Sequence, residues 1–269
     1  MSHANLFWRA TWILFLAHLK RTFFTKRALV AAGLACLPVA ASVLIATISR
    51  FEGPPPLEAV LHMGWFLEVQ TIVPLVALVV GSAVIAEEIE DRTITFLFTR
   101  PIPRASILVG RYLAALVLVV IVLGVSSGIV FRLLAGLHGN DGSAIEIPAG
   151  FLWRLFACVL LGGAVYSAVF SALGALVKRP ILVGIGYCFV FEGLLANLPG
   201  QNQKLTILYY LKSVLLAGNT ELLPMFEQTL APLELATPFS AVRTLLLVLV
   251  AALALGSWRL ARREYVLSA

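Results

Sequence analysis

The sequence predicts an all-α integral membrane protein: six transmembrane helices, an amphipathic N-terminal interfacial helix, and a cytoplasmic loop between spans two and three. Three observations carry that prediction. Hydrophobic residues make up 60% of the 269-residue chain and charged residues 13%, with a mean hydropathy of +0.96, a composition suited to lipid. Several windows of about 20 residues are almost free of charge, the length a helix needs to cross the hydrocarbon core. The basic residues gather in alternate connecting segments, as retention of positive loops in the cytoplasm requires. The net charge of +6 therefore reports topology and headgroup contact, and no basic tract interleaved with aromatics points to nucleic acid.

Residues 1–27 form the interfacial helix. Leu6, Trp8, Trp12, Ile13, Leu16, Leu19 and Phe23 recur at roughly helical spacing while Arg9, Lys20 and Arg21 are polar, the pattern of a helix in the inner headgroup layer with tryptophan at the interface. The segment is too long and too aromatic for the n-region of a cleaved signal peptide. It serves either as a juxtamembrane anchor or as a contact for a partner.

The spans fall at 28–49, 66–86, 107–134, 151–177, 181–198 and 239–258. The third and fourth are long enough to tilt or protrude, and the fifth is short. Pro38 and Pro74 are expected to kink the first two. Glu68 and Gln70 lie near the outer end of the second, within reach of water. Gly124 and Gly128, and the ladder Gly163, Ser167, Ser171 and Ala175, permit close helix approach, as packing faces or as the wall of a groove.

Residues 199–238 form an outer re-entrant or interfacial segment. Within it Leu205, Leu208, Tyr209, Leu215 and Leu216 make an apolar stripe apart from Lys204 and Lys212. With the N-terminus inside, the cytoplasmic set is Arg9, Lys20, Arg21, Lys26, Arg27, Arg92, Arg100, Arg104, Arg111, Lys178, Arg179, Arg259, Arg262 and Arg263, most of the 20 basic residues. The expectation is a single transmembrane domain over 1–269, multi-pass in the plasma (inner) membrane, with both termini cytoplasmic.

Glu192 is the one acid well inside a predicted span. A membrane-embedded charge costs about 2.5–3.5 kcal/mol on insertion scales, so it needs a partner. Arg132 and Arg154, on neighbouring outer ends, are the candidates, in a structural ion pair or along a pathway.

Cys36, Cys158 and Cys188 are isolated in three spans and read as small apolar residues. His3, His18, His62 and His138 lack metal-ligand spacing, so no metal site is expected. The phosphate-binding pattern G-x-x-x-x-G-K-[ST] is absent, as are a Ser-His-Asp set and a paired His-Glu helix motif. The chain is therefore expected to be non-catalytic and to bind no cofactor of its own.

The most informative segment is residues 87–106. Glu87, Glu88, Glu90 and Asp91 stand where the second span emerges, and acids at a helix C-terminus oppose its dipole, so cations such as Lys20 or Arg21 must compensate. Between Thr93 and Thr99, Ile94, Phe96, Leu97 and Phe98 make an apolar patch too short to span. Such a patch dips into lipid or fills a groove on another protein. Pro101 and Pro103 then turn the chain before the third span, and Arg100, Arg104 and Arg111 either snorkel to phosphates or pair with a partner's acids.

The run Glu88 to Ala114 resembles the cytoplasmic loop of type-2 ATP-binding-cassette (ABC) exporter permeases, in its acidic-Thr stretch, apolar turn, proline-arginine elbow and Gly-basic pair. The six-span layout, the N-terminal helix and the outer short helices are similar as well. Many members place Gly before the Thr, where this chain has Arg92. The resemblance implies a permease subunit that dimerises with a second copy or a paralogue and docks ABC nucleotide-binding subunits, where ATP and Mg are bound. It places Glu88, Asp91, Arg92, Thr93, Phe96, Leu97, Phe98, Arg100, Pro101 and Arg104 in a coupling loop facing the ATPase subunit, with Lys20 and Arg21 as the N-terminal helix contact. Two other readings differ in class: a non-transporting membrane scaffold that relays an ATPase's conformational change, and a self-contained secondary transporter. The latter lacks an evident internal repeat and midplane ion ligands.

Overall fold

A computed structural model describes residues 3–52, 57–85, 103–136, 147–148, 150–196, 201–219, 222 and 235–262. Among these the ordered elements are all helical, with no strand. In chain order they are α1 (His3–Phe23), α2 (Lys26–Glu52), α3 (Val60–Ile85), α4 (Arg104–Ala135), α5 (Phe151–Leu176), α6 (Pro180–Leu194), α7 (Ile207–Leu215) and α8 (Pro238–Arg262). Five helices, α2 to α5 and α8, are long and apolar enough to cross a membrane, and α6 is a shorter apolar helix within the expected fifth span.

Helices α3 and α5 form the buried centre, with α4 and α8 packed on α5. Lipid tails are as apolar as leucine, so close backbone approach drives this assembly. Small residues permit it. A Cβ on Gly81 of α3 would lie 2.8 Å from the Ser167 carbonyl oxygen, and one on Gly174 of α5 would lie 2.8 Å from that of Ser82. The expected ladder is thus a packing face: Gly163 meets Leu123 and Val119 of α4, and the Ser171 hydroxyl donates within its own helix to the Ser167 carbonyl at 2.6 Å. Gly128, by contrast, faces nothing within 4 Å.

Two segments depart from α geometry. Met63–Ile72 in α3 and Tyr187–Leu194 in α6 are π-helical. In α3 the wide turn ends at Pro74, whose ring cannot fit the carbonyl four residues back in a regular α-turn. The π register relieves that clash, since the Val73 N–H bonds the Glu68 carbonyl, five residues back.

Outward faces of α2, α6 and α8 carry large exposed apolar side chains, among them Leu29, Leu44, Leu182, Phe189, Leu247 and Val250. Only lipid or another apolar surface covers such faces. Helix α1 exposes Trp8, Trp12, Ile13 and Leu16 and buries Ala10 and Thr11 against α4.

Candidate functional site

Polar chemistry concentrates at the two ends of the bundle. One end gathers the termini of α1, α3, α5 and α8 with the starts of α2, α4 and α6, and most of its charges are cations. There α1 crosses α4 at Gly110, where a Cβ would lie 2.8 Å from the Thr11 carbonyl oxygen and 3.0 Å from the Leu14 Cβ. That crossing places His18 and Arg21 of α1 beside Arg27 of α2 and Arg111 of α4, around a cavity of about 50 Å³ walled by Val80 and Val84 of α3. Arg111, only 6% exposed, donates through Nη1 to the Val84 carbonyl at 3.2 Å.

Carbonyls at a helix C-terminus carry partial negative charge, so Arg21 of this basic collar, in the last turn of α1, is favourably placed. Seven residues before Arg111, and so near the same face of α4, Arg104 repeats the device: its Nη1 donates to the Ala261 carbonyl near the end of α8, at 2.8 Å. Both margins of the 87–106 segment are therefore tied to the bundle, Val84 just before it and Arg104 within its last turn. Arg21 lines the collar, while Lys20 is exposed on the adjacent position. Glu88, Asp91, Arg92, Thr93, Phe96, Leu97, Phe98, Arg100 and Pro101 lie outside the described residues.

The opposite end is organised by Glu192, which is 1% exposed. Its Oε1 accepts from the Tyr187 hydroxyl at 2.8 Å and the Ile207 N–H at 3.0 Å, and its Oε2 accepts from the Leu208 N–H at 3.1 Å. The N-cap Thr206 accepts the Tyr209 N–H at 3.2 Å, so the first turn of α7 has its leading donors satisfied. A helix N-terminus presents unpaired N–H donors, and both carboxyl oxygens of Glu192 act as acceptors.

Neither expected arginine is a partner of Glu192. Arg132 is exposed in the last turn of α4. Arg154 reaches the turn after α7 instead: with the Asn219 amide oriented to satisfy its neighbours, the amide oxygen accepts from Arg154 Nη1 at 3.1 Å. The turn itself needs Gly218, whose φ of +76° disfavours any other residue. Cys158 of α5 adds a thiol contact to the Leu211 carbonyl at 3.3 Å, and the Ala236 N–H bonds the Ser213 hydroxyl at 3.2 Å. Helix α7 is thus held on α5, on α6 and on the approach to α8. Leu205, expected in its apolar stripe, lies in a 3-10 turn and is exposed.

Glu68 departs further from expectation. The sequence places it near water, yet it is 1% exposed in the π-helical part of α3, with neither carboxyl oxygen hydrogen-bonded among the described residues. The Ser127 hydroxyl faces it from α4 but is committed to the Leu123 carbonyl at 2.7 Å.

A family model described as ABC-2 family transporter protein matches residues 56–265. The chain belongs to this family. No curated protein matches it. The match takes in α3 to α8, hence both the Glu192 cluster and the α3 and α4 sides of the cationic collar, while α1 and α2 precede it. This ABC-2 family member is a multi-pass membrane component.

Sequence reasoning passed over His18 and Arg27 as collar residues and read Arg111 only as a headgroup or partner contact. One signal was present: Arg104 and Arg111 stand seven apart, a spacing that keeps two side chains near one helix face.

Proposed function

We propose that this ABC-2 family chain is the permease subunit of an ATP-driven exporter, coupling ATP binding and hydrolysis in a separate nucleotide-binding subunit to substrate translocation. It works as a dimer, with a second copy or a paralogue, in the plasma (inner) membrane. The basic end faces the cytoplasm, as the bias of Lys and Arg requires. Six spans cross the bilayer, with α6 completing the set, and α1 lies in the headgroup layer.

The observation that carries this reading is the anchoring of both margins of the 87–106 segment, by Arg111 to Val84 and by Arg104 to Ala261. A loop fixed at both roots transmits a push to α3, α4 and α8 instead of yielding to it. ATP-driven closure of the partner subunits would displace the loop with α1, and the spans would move as rigid bodies between inward- and outward-facing packings. The partner must bind the two packings differently for this to happen.

The test is affinity purification of the tagged full chain from nanodiscs, followed by ATPase assay with and without Phe96→Asp and Leu97→Asp. A soluble ATPase that copurifies with the wild type and is lost from both variants supports coupling. If the chain purifies alone while the variants keep full cellular function, the exporter assignment fails.

A further inference from the structure

A second cavity opens at the basic end, between the start of α2, the end of α3 and the start of α6, with a volume of about 350 Å³. Arg27, Lys178, Arg179 and Ser82 line it, and no acid is among its described lining residues. Ser82 is fully buried and its hydroxyl has no hydrogen-bond partner among the described residues. Its position is fixed by the close packing of its backbone on Gly174 of α5. Lys178 and Arg179 are both exposed, in the short turn that joins α5 to α6.

One wall of this cavity is apolar. Ile181, Leu182 and Ile185 of α6 line it, and at 44%, 68% and 43% exposure they continue outward as a greasy strip along the helix. The site is amphipathic, with three cations and a hydroxyl at one end and branched aliphatic side chains beside them.

We infer that this cavity binds the phosphodiester headgroup of an anionic membrane lipid, with its acyl chains laid along α6. Ammonium and guanidinium groups are donor-only and a phosphodiester is acceptor-only with one negative charge, so donors meet acceptors and the charges are of opposite sign. A zwitterionic headgroup would bring its own cation against three others. A free phosphate would satisfy the cations but leave the aliphatic wall uncovered, which the hydrophobic effect disfavours. A lipid fills both parts, and the short turn holds the cations at the level where α6 begins, the level of the headgroups. The inference goes beyond the exporter reading and needs no ATPase partner.

The test uses the full chain in nanodiscs of mixed phosphatidylglycerol and phosphatidylcholine, released for native mass spectrometry to count retained lipids. Wild type is expected to retain phosphatidylglycerol in preference to phosphatidylcholine. Each cation near an anionic headgroup contributes roughly five-fold, so Lys178→Gln/Arg179→Gln should lower retention by about 25-fold. Ser82→Ala should lower it a few-fold with an unchanged melting temperature. The control Arg9→Gln/Arg262→Gln removes the same charge from exposed positions on α1 and α8 and should change retention less than about two-fold. Absence of a preference in wild type overturns the inference, as does an equal loss in the control pair. Displacement of the lipid by excess inorganic phosphate overturns it in favour of a free-anion site. Should the double variant melt early, Ser82→Ala alone decides: unchanged retention refutes the site.

Discussion

Replacing Glu192 by alanine tests the outer end of the bundle most directly. The substitution strips an acceptor from three donors, the Tyr187 hydroxyl and the Ile207 and Leu208 N–H groups. Each donor left unpaired in a buried site costs about 1–3 kcal/mol, so the low end of the sum is about 3 kcal/mol. That is roughly a 100-fold change in a local opening equilibrium, at about 1.4 kcal/mol per factor of ten. Hydrogen exchange of the full chain in nanodiscs reads this equilibrium amide by amide. Protection of Ile207, Leu208 and Tyr209 should fall by about 100-fold, while the amides of α5 keep theirs. Thr206→Ala removes only the cap on Tyr209, worth about 1 kcal/mol, and should lower protection several-fold. Glu192→Gln retains one acceptor oxygen but turns an NH2 toward a donor, so it should fall between the two. If Glu192→Ala leaves all three amides within about three-fold of wild type, the carboxylate does not hold α7 and the reasoning fails.

Gly110→Val would drive a side chain into the Thr11 carbonyl, and backbone cannot step aside, so α1 should detach at a cost of about 1–3 kcal/mol; a melting curve identical to wild type would refute the crossing. Arg111→Met leaves the Val84 carbonyl without its donor and should cost about 1–3 kcal/mol, with Arg111→Lys recovering part because a cation remains at the helix end; equal losses in both variants would argue for guanidinium geometry over charge. Glu68→Met removes a buried polar group that has no partner among the described residues and should raise the unfolding midpoint, by up to about 1–3 kcal/mol. A fall of that size would instead mean that Glu68 is held by a partner.

The long apolar windows were legible because a bilayer imposes one strong rule, about 20 residues without charge. Residues 28–49 and 107–134 announce α2 and α4 in that way. What stayed hidden depends on the backbone. A reading by charge sends Glu192 to Arg132 or Arg154, because side chains are the only cations a sequence displays. Its partners are two amide N–H groups at positions 207 and 208, which every residue but proline carries and no composition marks. The π turns at Met63–Ile72 and Tyr187–Leu194 were equally invisible, since they shift hydrophobic period by too little to register over two or three turns. Gly110 read as half of a Gly-basic pair, and its structural demand appears only once Thr11, ninety-nine positions away, is packed against it.

Described polar side chains meet backbone across elements both near helix ends and between helix middles, as with Tyr112 on the Ala164 carbonyl and Ser126 on the Ala35 carbonyl. Arg111 and Arg104 bind the Val84 carbonyl of α3 and the Ala261 carbonyl of α8, and Glu192 binds amides at the start of α7. Orphan N–H groups at a helix N-terminus must be satisfied where water is scarce, and at α7 the Glu192 side chain of α6 supplies the partner. Each of these bonds fastens two helices at once. A motion that slid α4 along α3, or α7 along α6, would break such a bond. Rotation of whole packed groups would keep them. The bonds join α3, α4 and α8 at the basic end and α5, α6 and α7 at the other, and the Tyr112 hydroxyl, donating to the Ala164 carbonyl at 3.0 Å, ties α4 to α5 between them. The close backbone contacts of α3 with α5 at Gly81 and Gly174 add a second link between the two sets, so the collar and the Glu192 cluster are joined through packed backbone and not through loops.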